Sequence, residues 1–126
     1  MKFQTLLTIN AVVALVYGIA FVLVPSTVLS IYGITTGPGE LIMSQFFGVA
    51  LIALGLLTWL IRAVTDASAQ RAVVLSALIA DIIGVIVALM GTLSGVMNSV
   101  GWTSVAIYFL LALGFASLQF RKPTAS

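Results

Sequence analysis

Asp81 has the clearest capacity for chemistry, because it is the one carboxylate inside an apolar run, residues 72–91 (AVVLSALIADIIGVIVALMG). A run of about 20 apolar residues is long enough to cross a bilayer as a helix. At about 1.5 Å of rise per residue, Asp81 would lie roughly 15 Å from either end, near the midplane. An ionised carboxylate there costs about 2.5–3.5 kcal/mol on insertion scales, so we expect it to face protein or water.

Three polar side chains on other apolar runs are expected near the depth of this carboxylate. At about 1.5 Å per residue from the positively charged ends, Asn10 lies about 11 Å deep, Tyr108 about 18 Å and Tyr17 about 21 Å. No lysine or arginine reaches that depth, so an ion pair within the chain cannot neutralise Asp81. We therefore take Asp81, Asn10, Tyr17 and Tyr108 as candidate binding residues.

The carboxylate allows two interpretations. In the structural one, Asp81 is protonated or hydrogen-bonded to a neighbouring polar residue and ties helices together. In the functional one, it exchanges its proton while a cation or an amphiphile competes for the site. The structural interpretation is favoured, since a single acid without a second ionisable group makes a poor proton relay.

The sequence lacks the residues that most other kinds of catalytic or metal-binding chemistry need. The 126-residue chain contains no cysteine and no histidine, which removes thiol redox relays, most zinc sites and the commonest general base. It offers no nucleophile–base pair, metal cluster or phosphate-binding loop, so we expect neither an enzyme nor a bound metal or cofactor. A net charge of +2 from so few groups gives no support to nucleic-acid binding.

Four apolar runs make up most of the chain. Hydrophobic residues are 62% of the sequence and charged residues 6%, whereas about 25% charged is usual for a soluble domain. The runs predict membrane-spanning helices at 3–24, 40–61, 72–91 and 101–120. We expect a single all-α domain, residues 1–126, folded as an antiparallel four-helix bundle in the lipid bilayer.

Small residues recur at helical spacing in two of these runs and predict packing seams between helices. The third run carries one residue of this kind every four positions: Ser76, Ala80, Gly84 and Ala88. The second run carries them at spacings of four and seven: Ser44, Gly48 and Gly55. Such rows let a neighbouring backbone approach closely, within the chain or in a second copy.

The segment 25–39 separates the first two runs and is predicted to hold a short interfacial helix. Pro25 suits the first helical position and Gly33 suits the end of the helix. The segment is interpreted as a cap over one end of the bundle, with a lid or a partner-docking surface as the alternative.

The positive charges predict the orientation of the chain. In a four-span arrangement all of them fall on one side: Lys2, Arg62, Arg71, Arg121 and Lys122. By the positive-inside rule both termini are then cytoplasmic, in the inner (plasma) membrane of the cell.

The order of certain residues resembles the small four-helix membrane proteins of bacteria and archaea that include the DoxX-like proteins. A first helix ends at Pro25 and is followed by Ile31-Tyr32-Gly33. Phe47-Gly48 then opens a second helix that ends in Trp59-Leu60-Ile61-Arg62. The resemblance implies a four-helix membrane protein and, because DoxX is associated with a terminal quinol oxidase, an accessory subunit.

The sequence leaves two functions open. The first is a small accessory or scaffold protein that associates with itself or with a larger membrane complex. The alternative is an oligomeric proton-coupled transporter or channel for a small cation or amphiphile, with Asp81 as its site.

Overall fold

The four predicted spans are helices in the computed structural model, which describes residues 2–121. The helices in this part of the chain are α1 (Phe3–Leu23), α2 (Pro25–Ile31), α3 (Pro38–Ile61), α4 (Ala67–Leu93) and α5 (Gly101–Gln119). All except α2 are long and apolar enough to cross a membrane. The predicted all-α architecture, with four long helices and a short one after the first, is therefore confirmed.

Two of the helices begin before the apolar runs that predicted them. α4 begins at Ala67, five residues early, because Asp66 caps it: Asp66 Oδ2 accepts a hydrogen bond from the Ala69 N–H at 2.8 Å. α3 begins two residues early at Pro38, which suits a first turn because it has no N–H to leave unpaired. A polar cap at α4 and a proline at α3, neither of which hydropathy registers, therefore set where these helices start.

The short helix α2 follows α1 directly and ends in a tight turn. Pro25 occupies its first position, as predicted. Gly33 adopts a φ of 73°, a left-handed conformation that side chains disfavour. Around this residue the Ile34 N–H donates to the Leu29 carbonyl at 2.9 Å, and the Gly33 N–H donates to the Ser30 carbonyl at 3.0 Å. These two bonds form a Schellman turn, which stops α2 where the glycine predicted its end.

Helices α1 and α3 pack as one antiparallel pair with very close backbones. A methyl group at Gly48 would lie 2.7 Å from the Gly18 carbonyl oxygen, and one at Gly55 would lie 2.7 Å from Leu15 Cγ. Only glycine permits such an approach. Ser44, in the same row of α3, is also buried.

Helices α4 and α5 form the second pair. At its middle the ring of Tyr108 covers Gly84, where a methyl group would lie 2.5 Å from Tyr108 Cδ1. Farther along α4, Ala88 is buried as well. The close contact in this pair is thus between a glycine and an aromatic ring, whereas α1 and α3 meet through glycine backbones.

The predicted row of small residues on α4 does not form one continuous seam. Ser76 and Ala80 are exposed, while Gly84 and Ala88 contact the rest of the protein. A step of four residues turns an α-helix by about 400°, so three such steps carry the row roughly 120° around α4. The residues that stay on the inner side are instead spaced by four, three and seven: Val74, Leu78, Asp81 and Ala88.

Two apolar clusters join the helix pairs near their ends. We call the end that holds the start of α1, the α3–α4 link and the end of α5 the basic end, and the other the α2 end. The cluster toward the basic end consists of Leu6, Leu7, Val74, Leu78, Ala112 and Phe115. The cluster at the α2 end consists of Phe21, Val28, Leu29 and Tyr32, with Met97 and Val100 packed against it. The middle of the molecule between these clusters is less completely filled.

Candidate functional site

A cavity of about 280 Å³ lies between the two helix pairs, in the middle and the α2-side half of the molecule. Its walls come from all five described helices and are mostly apolar. That volume is close to the lower end of the range of about 300–1,000 Å³ found for small-molecule sites. A mostly apolar pocket with a few convergent polar groups is the usual form of such a site.

Asp81 lies in the wall of this cavity on the inner side of α4. Its side chain is more than nine-tenths buried, with 8% of the residue exposed. The buried oxygen Oδ2 has no hydrogen-bond partner among residues 2–121. A buried acceptor without a donor costs about 1–3 kcal/mol, and more when it carries charge. The carboxylate is therefore poised to take up a proton or a ligand that brings a donor.

Asn10, on α1, also lines the cavity but is directed to α3. Its Nδ2 lies 3.5 Å from Thr58 Oγ1, a long hydrogen bond. Thr58 in turn donates to the carbonyl of Leu54 at 2.9 Å and to that of Gly55 at 3.2 Å. Thr58 was not a candidate from the sequence, although it shares a helical face with Gly55 and is just 2% exposed.

Three hydroxyl groups meet toward the α2 end of the cavity. Tyr32 Oη lies 2.8 Å from Ser104 Oγ and 3.5 Å from Tyr17 Oη. Tyr17 was a candidate from the sequence, whereas Tyr32 and Ser104 were not. Tyr32 lies in the turn after α2 and Ser104 in the first turn of α5, so only the folded chain brings them together.

The four candidate residues line one cavity. The structural interpretation predicted a hydrogen bond from one of the other three to Asp81, but none is made to Asp81 Oδ2. Asn10 is bonded toward Thr58, and Tyr17 toward Tyr32. Tyr108 instead lays its ring against Gly84, one turn from the carboxylate.

The charge that the cavity wall can carry near neutral pH is negative. Among the lining residues within 2–121, Asp81 is the one acidic side chain, and no lysine or arginine is present. The other titratable groups there are three tyrosines: Tyr17, Tyr32 and Tyr108. Helix α3 contributes apolar side chains to the same wall: Phe47, Leu51 and Leu54. Within this low-dielectric space the carboxylate favours a cation or a hydrogen-bond donor over an anion.

Comparison with known proteins gives no family for this chain. No family model, curated protein or solved structure matches it. The resemblance to DoxX-like proteins therefore has no support from a family match. Four long apolar helices packed in two pairs make the chain a small multi-pass membrane protein.

Proposed function

We propose that this protein binds a small cation or amphiphile in the cavity between its helix pairs and exchanges it for a proton at Asp81. The observation that carries the proposal is the buried Oδ2 of Asp81, which faces the cavity without a hydrogen-bond partner within residues 2–121. A carboxylate oxygen without a hydrogen bond to another helix does little to hold helices together. Such a carboxylate is available to bind either a proton or a cationic ligand, and the two compete for it.

Exchange of a ligand for a proton can drive transport only if the site is reached from both sides of the membrane. Access from the second side would need either an oligomer or a movement of one helix pair against the other, because four short helices enclose no complete path across the membrane. The two pairs meet mainly through the clusters at their ends, so such a movement would have to open one of these clusters. The full proposal is therefore an oligomeric proton-coupled transporter or channel.

An accessory or scaffold role is the second candidate. The exposed small residues Ser76 and Ala80 on α4 favour it, because a helix of another copy or of a larger complex could approach closely there. This role does not use the cavity. Loss of association in Ser76→Leu, with ligand binding unchanged, would support it.

The orientation in the membrane belongs to the same proposal. Lys2, Arg62 and Arg121 lie at the basic end of the helices, and Arg71 lies in the second turn of α4 near that end. Lys122 lies outside the described residues. We infer from the positive-inside rule that the basic end is cytoplasmic in the inner membrane. We also infer a binding rather than an enzymatic role, since the sequence supplies the cavity with one carboxylate and neither histidine nor cysteine.

Proton release on ligand binding tests the proposal. The protein in detergent, in a weakly buffered solution with a pH-sensitive dye, is titrated with octylammonium between about pH 6 and 8. The parent should release protons as it binds, and its affinity should fall as the pH falls, because protonation removes the charge of Asp81. Asp81→Asn should bind at least tenfold more weakly and release no proton.

The control is Ile83→Leu, a change at an exposed position on the same helix. It should match the parent in both measurements. Absence of proton release from the parent, or octylammonium binding that Asp81→Asn leaves undiminished, would overturn the proposal.

A further inference from the structure

We infer that the cavity recognises an elongated ligand at both ends, with an ammonium group at Asp81 and a neutral hydroxyl-like group at Tyr32 and Ser104. The inference rests on the proposed function and names the class of molecule that the same cavity takes. The two polar ends of the cavity differ in charge and in hydrogen-bonding capacity, and a mostly apolar stretch that includes Tyr108 separates them.

The distance between the two ends follows from the register of α4 and α5. Gly84 lies against Tyr108, so these two residues are at one level. Asp81 is three residues from Gly84 toward the basic end, and Ser104 is four residues from Tyr108 toward the α2 end. At about 1.5 Å per residue, the carboxylate and the serine are separated by roughly 10 Å along the helix axes.

The space between these ends has few polar groups. Its wall includes Ala14 of α1, Leu51 of α3 and Ile107 of α5, together with the side chain of Tyr108. An extended alkyl chain suits such a wall, because each buried methylene contributes about 0.8 kcal/mol. A small hydrated ion would make no apolar contacts with this part of the cavity wall.

The end near Asp81 selects positive charge. Asp81 is the one acidic group in the wall within residues 2–121, and the titratable groups facing the cavity from the other elements are Tyr17, Tyr32 and Tyr108. Helix α3 faces it with apolar residues. A primary ammonium has three donors and no acceptor, which matches a carboxylate oxygen that lacks a donor.

The α2 end selects a neutral polar group. Hydroxyls both donate and accept, so the Tyr32 and Ser104 pair, 2.8 Å apart, can open to include a ligand hydroxyl in the same network. No carboxylate from the described residues lines that end, so a second ammonium would gain little there. The expected ligand is therefore an amino alcohol with an apolar body, bound with its nitrogen toward the basic end.

Three probes of equal chain length separate the contributions of the two ends: octylamine, octan-1-ol and 8-aminooctan-1-ol. Binding is measured by calorimetry on the full protein in nanodiscs, after subtraction of uptake by empty nanodiscs. The amino alcohol should bind the parent about tenfold more tightly than octylamine. Octan-1-ol should bind weakly and show no response to Asp81→Asn.

Variants at each end complete the test. Tyr32→Phe and Ser104→Ala should each reduce the ratio of amino-alcohol affinity to octylamine affinity from about tenfold to near one, and octylamine binding that still depends on the pH shows that the variant is folded. Asp81→Asn should weaken both amines by at least tenfold, and Ile83→Leu should change none of these values.

The outcomes separate this inference from the proposed function. Octylamine binding that depends on Asp81, without any gain for the amino alcohol, would overturn the two-ended site and leave the proposed function intact. A gain that survives both Tyr32→Phe and Ser104→Ala would also overturn it. Failure of the parent to bind either amine would overturn the proposed function itself.

Discussion

At the scale of single residues, the buried oxygen of Asp81 has lost water without gaining a donor within residues 2–121. Such an arrangement lowers stability unless a proton or a ligand completes it. Sites that serve function often carry a local cost of this kind. Two other polar groups of the cavity wall are bonded elsewhere, since Asn10 is bonded toward Thr58 and Tyr32 lies against Ser104.

Removal of the carboxylate is therefore expected to leave the ligand-free protein as stable as before, or more stable. Asp81→Leu fills part of the cavity with an apolar side chain and removes the unpaired acceptor, so it should stabilise by up to about 1 kcal/mol. Asp81→Asn should be close to neutral. The measurement is the melting temperature in detergent without ligand. A loss of more than about 1 kcal/mol in both variants would show instead that Asp81 ties helices together.

At the scale of helices, the two pairs depend on different contacts. In α1 and α3, Gly18 and Gly48 bring the backbones together. A methyl group added at either glycine would meet the backbone carbonyl oxygen of the other, which cannot move aside as a side chain can. In α4 and α5, Gly84 is covered by Tyr108, whose ring can shift. The first pair should therefore tolerate added volume less well than the second.

Gly48→Ala is expected to destabilise the protein, because its methyl group would lie 2.7 Å from the Gly18 carbonyl oxygen. Overpacking of this kind costs about 1–3 kcal/mol. Gly39→Ala is the matched control on the same helix, since nothing lies within 4 Å of its added methyl group. That change should be neutral or stabilising, because alanine favours the helix. Equal melting temperatures in detergent for the two variants would contradict the close packing of α1 against α3.

At the scale of the whole molecule, the two pairs are joined at their ends and separated in the middle. At the α2 end Asn98 reinforces the apolar cluster, because its Nδ2 donates to the Ile31 carbonyl at 3.0 Å and its N–H donates to the Tyr32 carbonyl at 2.9 Å. The other cluster joins the pairs toward the basic end. This arrangement keeps a cavity open between helices that are otherwise well packed.

The four long helices also predict where reporters will lie. An even number of spans would place both termini on one side, and the positive-inside rule predicts that this side, which carries the positive charges, is cytoplasmic. A reporter fused after Ser126 should therefore be cytoplasmic, and one inserted at Gly37, between α2 and α3, should be external. Reporters in the reverse arrangement would contradict the orientation, and reporters on the same side would contradict the number of spans.

The sequence by itself determined the features that depend on local composition and spacing. The lengths of the apolar runs predicted four membrane-spanning helices, because a bilayer requires about 20 such residues. Pro25 and Gly33 predicted the bounds of α2 through their restricted and permissive backbones. The place of Asp81 near the middle of its helix followed from its position within its run.

Only the tertiary structure decided which helices pair and which residues face inward. A row of every fourth residue on α4 winds around the helix, so Ser76 became exposed while Ala88 turned inward. The three-hydroxyl group joined α1, the turn after α2 and α5, which no spacing along the chain connects. The cavity exists because two tightly packed pairs meet at their ends, and that incomplete contact leaves the Asp81 oxygen without a partner among the described residues.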